Sequence, residues 1–178
     1  MNEKTINIAR KFKGRLISID LIHVRLKNGR KARREIVRHP GAVAALCRRP
    51  DGKFVFVRQF RKPLERNILE IVAGTREPGE SPAVCARREI LEETGYKAVL
   101  LRRLGSIYSA PGFCDERIEI YFAEVIPSVI KGRADHDEDI SVFCFDARKI
   151  EIMLASGKII DAKTLAAWTL YKHRRGNK

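Results

Sequence analysis

Residues 15–26, RLISIDLIHVRL, alternate apolar and polar positions from Ile17 onward, with Ile17, Ile19 and Leu21 facing one way and Ser18 and Asp20 the other. A two-residue period rich in β-branched side chains predicts a strand. Lys27-Asn28-Gly29-Arg30 follows; Asn-Gly signals a hairpin because both residues tolerate positive φ. Residues 31–37 are then the returning strand, and the N-terminal segment reads as a small antiparallel sheet. After His39-Pro40-Gly41 come an apolar run at 42–47, a turn at Pro50-Asp51-Gly52 and a strand at 54–60. Further strands are expected at 68–73, 99–106, 118–125 and 141–145. A helix is predicted from about Pro82 to Thr94, with Ser81 as N-cap, Pro82 at the first position and Gly95 just past the end. Two more are expected at 147–156, stopping before Gly157, and at 162–173. No internal repeat or low-complexity segment interrupts the pattern. Strands dominate around one well-signalled central helix, which is an α/β domain of the α+β kind.

Composition suits that reading: 178 residues, 44% hydrophobic and 33% charged, bury a real core in one domain with at most a small appendage. Disorder and collagen-like repetition are excluded. Charge adds something new, since 36 Lys+Arg against 22 Asp+Glu leave a net +14. An anionic partner is implied, nucleic acid being the first candidate. By region, however, residues 1–39 hold 12 Lys/Arg and 3 Asp/Glu, residues 171–178 hold 4 and none, and residues 40–170 hold 20 and 19. The surplus belongs to the two ends. Cys47, Cys85, Cys114 and Cys144 form no CxxC pair and have no histidine at finger spacing, so buried reduced thiols are expected rather than a zinc or redox site. No apolar core of secretory length and no run of about 18 to 20 apolar residues occurs, so a cytoplasmic protein without a membrane partner is expected.

The central helix carries the candidate chemistry. Glu89, Glu92 and Glu93 stand at i, i+3 and i+4, on or near one face. Such like charges repel, and hard divalent cations with oxygen preference relieve them. From that spacing alone, a solvated acidic face is the alternative. The wider context is Gly74, five residues, Glu80, seven residues, Arg88-Glu89-Ile90, one residue, Glu92-Glu93, one residue, Gly95-Tyr96. This fills every position of GX5EX7REUXEEXGU, where U is bulky and apolar, over 23 residues. The chain therefore resembles the Nudix hydrolases.

The resemblance implies the Nudix fold, a mixed sheet sandwiched by helices, over residues 41–178, preceded by the antiparallel segment 1–40. It implies Mg²⁺, or Mn²⁺, bound by Glu89 and Glu93 with Glu92 beside them, and the backbone carbonyl of Ala73 assisting. Gly74 and Gly95 would shape the unit's two ends, and Glu80 would reach Arg88 to fix the loop against the helix. The implied reaction is hydrolysis of a nucleoside diphosphate linked to another group, by a metal-activated water attacking the diphosphate.

Other segments resemble the ADP-ribose pyrophosphatase branch: Ser109-Ala110-Pro111-Gly112-Phe113, with Pro111 fifteen residues after Tyr96, and also Val57-Arg58-Gln59-Phe60-Arg61, Arg33-Arg34-Glu35-Ile36 and Asp161-Ala162-Lys163-Thr164. By that resemblance the N-terminal sheet helps to build a homodimer, and Arg34 and Arg61 contact phosphate or ribose; a surface ion pair is the alternative for each. Phe113 either packs on a base or fills its loop. The branch carries a late acidic loop with the catalytic base, matched here by Asp135-His136-Asp137-Glu138-Asp139. Glu138 fits best, as base and additional metal ligand, with Asp137 or His136 as substitutes. ADP-ribose would yield AMP and ribose 5-phosphate. The alternatives are GDP-mannose or a broad range of nucleotide sugars, then an RNA 5′ end or cap, then a non-catalytic nucleotide binder. The intact glutamate set argues against the last. Without an aromatic-interleaved basic stripe, nucleic acid ranks low as a partner.

Overall fold

The computed structural model describes residues 3–129 and 140–175. The elements in order are β1 (Glu3–Lys13), β2 (Ser18–Leu26), β3 (Lys31–Arg38), β4 (Ala42–Arg48), β5 (Phe54–Arg61), β6 (Arg66–Glu70), β7 (Val72–Thr75), α1 (Pro82–Thr94), β8 (Tyr96–Tyr108), β9 (Arg117–Pro127), β10 (Ile140–Phe145), α2 (Ala147–Ala155) and α3 (Ala162–Arg175). The chain divides into two compact units, Met1–Gly41 with Tyr108–Arg117, and Ala42–Ile107 with Ile118–Lys178.

The first unit is a three-stranded antiparallel sheet in the order β1-β2-β3. The turn at Gly29, where φ is +82°, closes β2 onto β3. β1 escapes a reading of the sequence because bulges between Thr5 and Asn7 and between Arg10 and Phe12 reset its alternation twice. Ile8 and Arg10 lie opposite Ile22 and Asp20, whereas Phe12 lies opposite Ile19, on the other face. The inward face of β2 also differs from expectation: Asp20, Ile22 and Val24 are buried, and Ile19 and Leu21 only half so. Asp20 turns inward because Arg10 and Arg38 both bond its carboxylate, holding it below the usual carboxylate range. The loop 108–117 is laced to β3, with the Val37 amide donating to the Phe113 carbonyl at 2.8 Å and the Asp115 amide to the Val37 carbonyl at 3.1 Å.

The second unit is built on a seven-stranded sheet whose main order is β10-β5-β4-β9-β8, with β6 on β5 and β7 on β4. It is mixed, because β4 runs parallel to β9 and antiparallel to β5 and β7. β4 is apolar throughout because both its faces are covered. Ala42, Ala44 and Leu46 join Phe54, Phe56, Ile120, Ile150 of α2 and Trp168 of α3 on one side. Val43, Ala45 and Cys47 join Val55, Val57 and the α1 residues Cys85, Ala86 and Ile90 on the other. Helices therefore flank the sheet on both faces. The expected strand at 68–73 is two strands, broken at fully buried Ile71. No helix among the described residues is long and apolar enough to cross a membrane.

Candidate functional site

β7, a short loop and α1 form the unit that positions the carboxylates. β7 pairs with β4, Gly74 opposite Val43 and Ala73 opposite Ala44, so its course is fixed by the centre of the sheet. Ser81 caps α1 through its hydroxyl, which accepts from the Val84 amide at 3.3 Å. Pro82 presets the first turn, where its missing N–H costs nothing. At the other end Gly95 adopts φ +69°, and its amide donates to the Leu91 carbonyl at 2.9 Å.

Arg88 organises the loop and the helix face. Its Nε and Nη2 grip the Glu80 carboxylate at 2.9 and 3.0 Å, a bidentate pair. Its Nη1 reaches Glu89 at 2.7 Å and Glu92 at 2.9 Å, and Nη2 also donates to the Thr75 carbonyl at 3.3 Å. Glu80 further accepts from the Glu77 amide at 3.1 Å, and its carbonyl accepts from Arg76. Arg88, with the Glu77 amide, pulls the Glu80 pKa down to about 2, against the opposing effect of its burial. Arg88 itself is raised, by its bonds to Glu80 and Glu92. The repulsion between Glu89 and Glu92 along α1 is thus offset by a single guanidinium.

Gly74 makes room for this arrangement. A Cβ at that position would overlap the Glu89 carboxylate, which therefore lies directly against the β7 backbone beside Ala73. Glu93 faces inward: its Oε2 is sealed from solvent, and its charge adds to burial in pushing the Cys47 thiol up. Burial and the Glu80 carboxylate push Cys85 up to about 12. Cys47 and Cys85 are thus buried free thiols, whereas Cys114 and Cys144 are half-buried. Among the described residues no three metal-ligating side chains converge as they stand. The donor types still fit a hard divalent cation, because Glu89, Glu92 and Glu93 offer carboxylate oxygens from one helix, and Gly74 leaves space for that of Glu89 against the backbone.

Arg61 sits on the same unit, and its Nε and Nη2 bond the two Glu70 oxygens at 2.7 and 2.9 Å. Glu70, only 1% exposed, also pairs with Lys163, which reaches Asp161 at 3.0 Å. Burial alone would raise the Glu70 pKa, but Arg61 and Lys163 hold it below the ordinary value. Thr164 completes the set by accepting from the Ile71 amide at 3.0 Å and donating to Asp161 at 2.6 Å. This network ties the start of α3 to the strand leading into Gly74. The sequence does not show this pairing, because Glu70 and Lys163 stand 93 residues apart.

Arg34 and Phe113 lie in the first unit. Arg34 on β3 pairs with Glu3 and donates to the Arg33 carbonyl at 2.9 Å. Phe113 is anchored by its backbone, and the residue is 57% exposed. His136, Asp137 and Glu138 fall outside the described residues.

Comparisons with known proteins give similarities over most of the chain. A family model described as the NUDIX domain matches residues 38–168. The chain is 44% identical over 172 residues to "ADP-ribose pyrophosphatase" of Bacillus subtilis (strain 168), covering 94% of this chain and 91% of that one. It is 42% identical over 167 residues to "Methanol dehydrogenase activator" of Bacillus methanolicus, covering 93% and 90%. A solved structure titled "Crystal structure of ADP compounds hydrolase" superposes with a TM-score of 0.86 over 99% of this chain and 96% of that one, at 21% identity, a likeness of fold.

Proposed function

Because the chain belongs to the Nudix family, we propose that it hydrolyses ADP-ribose at the diphosphate to AMP and ribose 5-phosphate. The carrying observation is the Gly74–Gly95 unit, in which Arg88 binds Glu80, Glu89 and Glu92 beside a glycine that cannot carry a side chain. The relative named for that activity is 44% identical over nearly the whole chain.

In this reading Glu89 and Glu93 are the principal ligands of Mg²⁺ or Mn²⁺, with Glu92 beside them and the Ala73 carbonyl assisting. When bound, such a cation supplies positive charge against the diphosphate oxygens and acidifies a water. The chain's own groups do the rest. Arg61, its fork oriented by Glu70, and Arg34 take phosphate or ribose oxygens. The exposed Phe113 ring offers a stacking surface to the base. Glu138, with Asp137 or His136 in reserve, takes the proton of the attacking water. The three-stranded sheet builds a homodimer, a role supported by exposed Ile6, Ile8 and Phe12 along its edge strand. The working compartment is the cytoplasm.

The test is cation-dependent hydrolysis of ADP-ribose, GDP-mannose, ADP-glucose, NADH and capped RNA in one panel. ADP-ribose is expected to show the highest kcat/KM, and a clear preference for another member rejects the substrate assignment. A second reading rests on the 42% identical relative: this chain also activates a methanol dehydrogenase. Stoichiometric addition to such a dehydrogenase should raise its turnover, and an unchanged rate removes that reading.

A further inference from the structure

On the α2/α3 side of the large sheet, β4, β9, β8 and the last turns of α3 enclose an open cleft of about 460 Å³. Arg48, Arg102 and Arg174 line it together with Phe122, Tyr171 and Glu124. Strand periodicity separates this cleft from the carboxylate site. Arg48 continues the row Ala42, Ala44, Leu46 that faces α2 and α3, whereas Val43, opposite Gly74, belongs to the face covered by α1. Five residues along β4 put roughly 16 Å between the two positions in the strand direction alone.

We propose that this cleft is a second ligand site, one that binds the phosphate monoester of a small metabolite. Its charge is the first reason. Glu124 is paired with Arg48, so three guanidinium groups and one carboxylate leave two positive charges, the complement of a monoester dianion. Arg102 is half-buried and has no carboxylate partner among the described residues. Arg174 donates one N–H to the Arg103 carbonyl at 3.2 Å and has no carboxylate partner among the described residues.

Preorganisation is the second reason. The guanidinium groups of Arg48 and Arg102 lie over the Phe122 ring, 5.4 and 5.7 Å from its centroid, and that ring stacks on Tyr171 at 5.1 Å. A buried aromatic floor fixes both side chains and lowers the local dielectric, so an anion gains more there than at a solvated surface. The carbonyl end of α3 opposes an anion, but with roughly half an elementary charge against two full ones.

The surrounding charges select a single phosphate over a nucleic-acid backbone. Next to the cleft, Arg103 is neutralised by Glu119 and Lys172 by Glu151. Among the described residues, these flanking pairs leave no row of unpaired cations running from the cleft that could follow successive phosphates.

The sole tryptophan, Trp168, has its ring centroid 5.9 Å from that of Tyr171 and supplies a unique reporter. Inorganic phosphate, AMP and ribose 5-phosphate are titrated into the full chain at about 0.15 M ionic strength while the Trp168 indole N–H resonance is followed. A saturable shift with all three is expected, weakened about tenfold or more in Arg102→Gln and in Arg174→Gln. The hydrolytic kcat and KM of both variants should stay at the parent's values. Arg174 is exposed, so its variant keeps the test open if Arg102→Gln fails to fold. The proposal is overturned if no saturable shift appears, if both folded variants bind as the parent does, or if only AMP binds. Tighter binding of single-stranded RNA than of the monoesters would also overturn it, in favour of a nucleic-acid surface.

Discussion

At residue scale the site depends on one missing side chain and one shared guanidinium. Gly74→Ala would drive a methyl group into the Glu89 carboxylate, displacing either β7 or the glutamate. It should lose most hydrolytic activity and about 1–3 kcal/mol of stability, read by substrate turnover and denaturant unfolding. Glu93→Gln keeps the side chain's shape but removes its charge. Turnover should fall by more than about a hundredfold while circular dichroism stays that of the parent; retained activity would sink the ligand assignment. Glu80 carries a pH signature. Its folded pKa of about 2 lies below the ordinary 4.5, so its contribution is fully present above 4.5 and is lost as pH falls towards 2. Glu80→Gln should therefore be less stable than the parent at pH 6, with the difference in melting temperature closing as the pH is lowered through that window.

At element scale, local signals were strong where a helix end or turn required a particular residue. Ser81, Pro82 and Gly95 mark α1 because capping chemistry is local and leaves its imprint on neighbouring positions. β1 left no such imprint, since its two bulges break the period on which recognition of a strand depends. Nor did the join between β6, β7 and α3, whose partners lie 93 residues apart in Lys163 and Glu70. Lys163→Met leaves half-paired a carboxylate that is 1% exposed. Arg61 remains beside it, so the expected loss is about 1–3 kcal/mol, smaller than for a fully orphaned buried charge. Urea unfolding measures this, and a variant as stable as the parent would show that the network does not hold α3 to the strand.

At the scale of the whole molecule, the exposed apolar residues of β1 bear on assembly. If the three-stranded sheet forms the homodimer, Ile8→Glu should shift the chain towards monomer in sedimentation equilibrium, and an unchanged mass would place the interface elsewhere. Much of the protein's function was legible in the order of its residues. The seven fixed positions from Gly74 to Gly95 specify a strand, loop and helix together with their carboxylates, because each constraint acts over a few residues. What Arg61 touches, which face of β2 turns inward, and which arginines meet in the cleft beside α3 were not legible there. Those outcomes depend on Glu70, on Arg10 with Arg38, and on Arg48, Arg102 and Arg174. Burial and Coulomb interactions act through space, so only the folded chain could decide them.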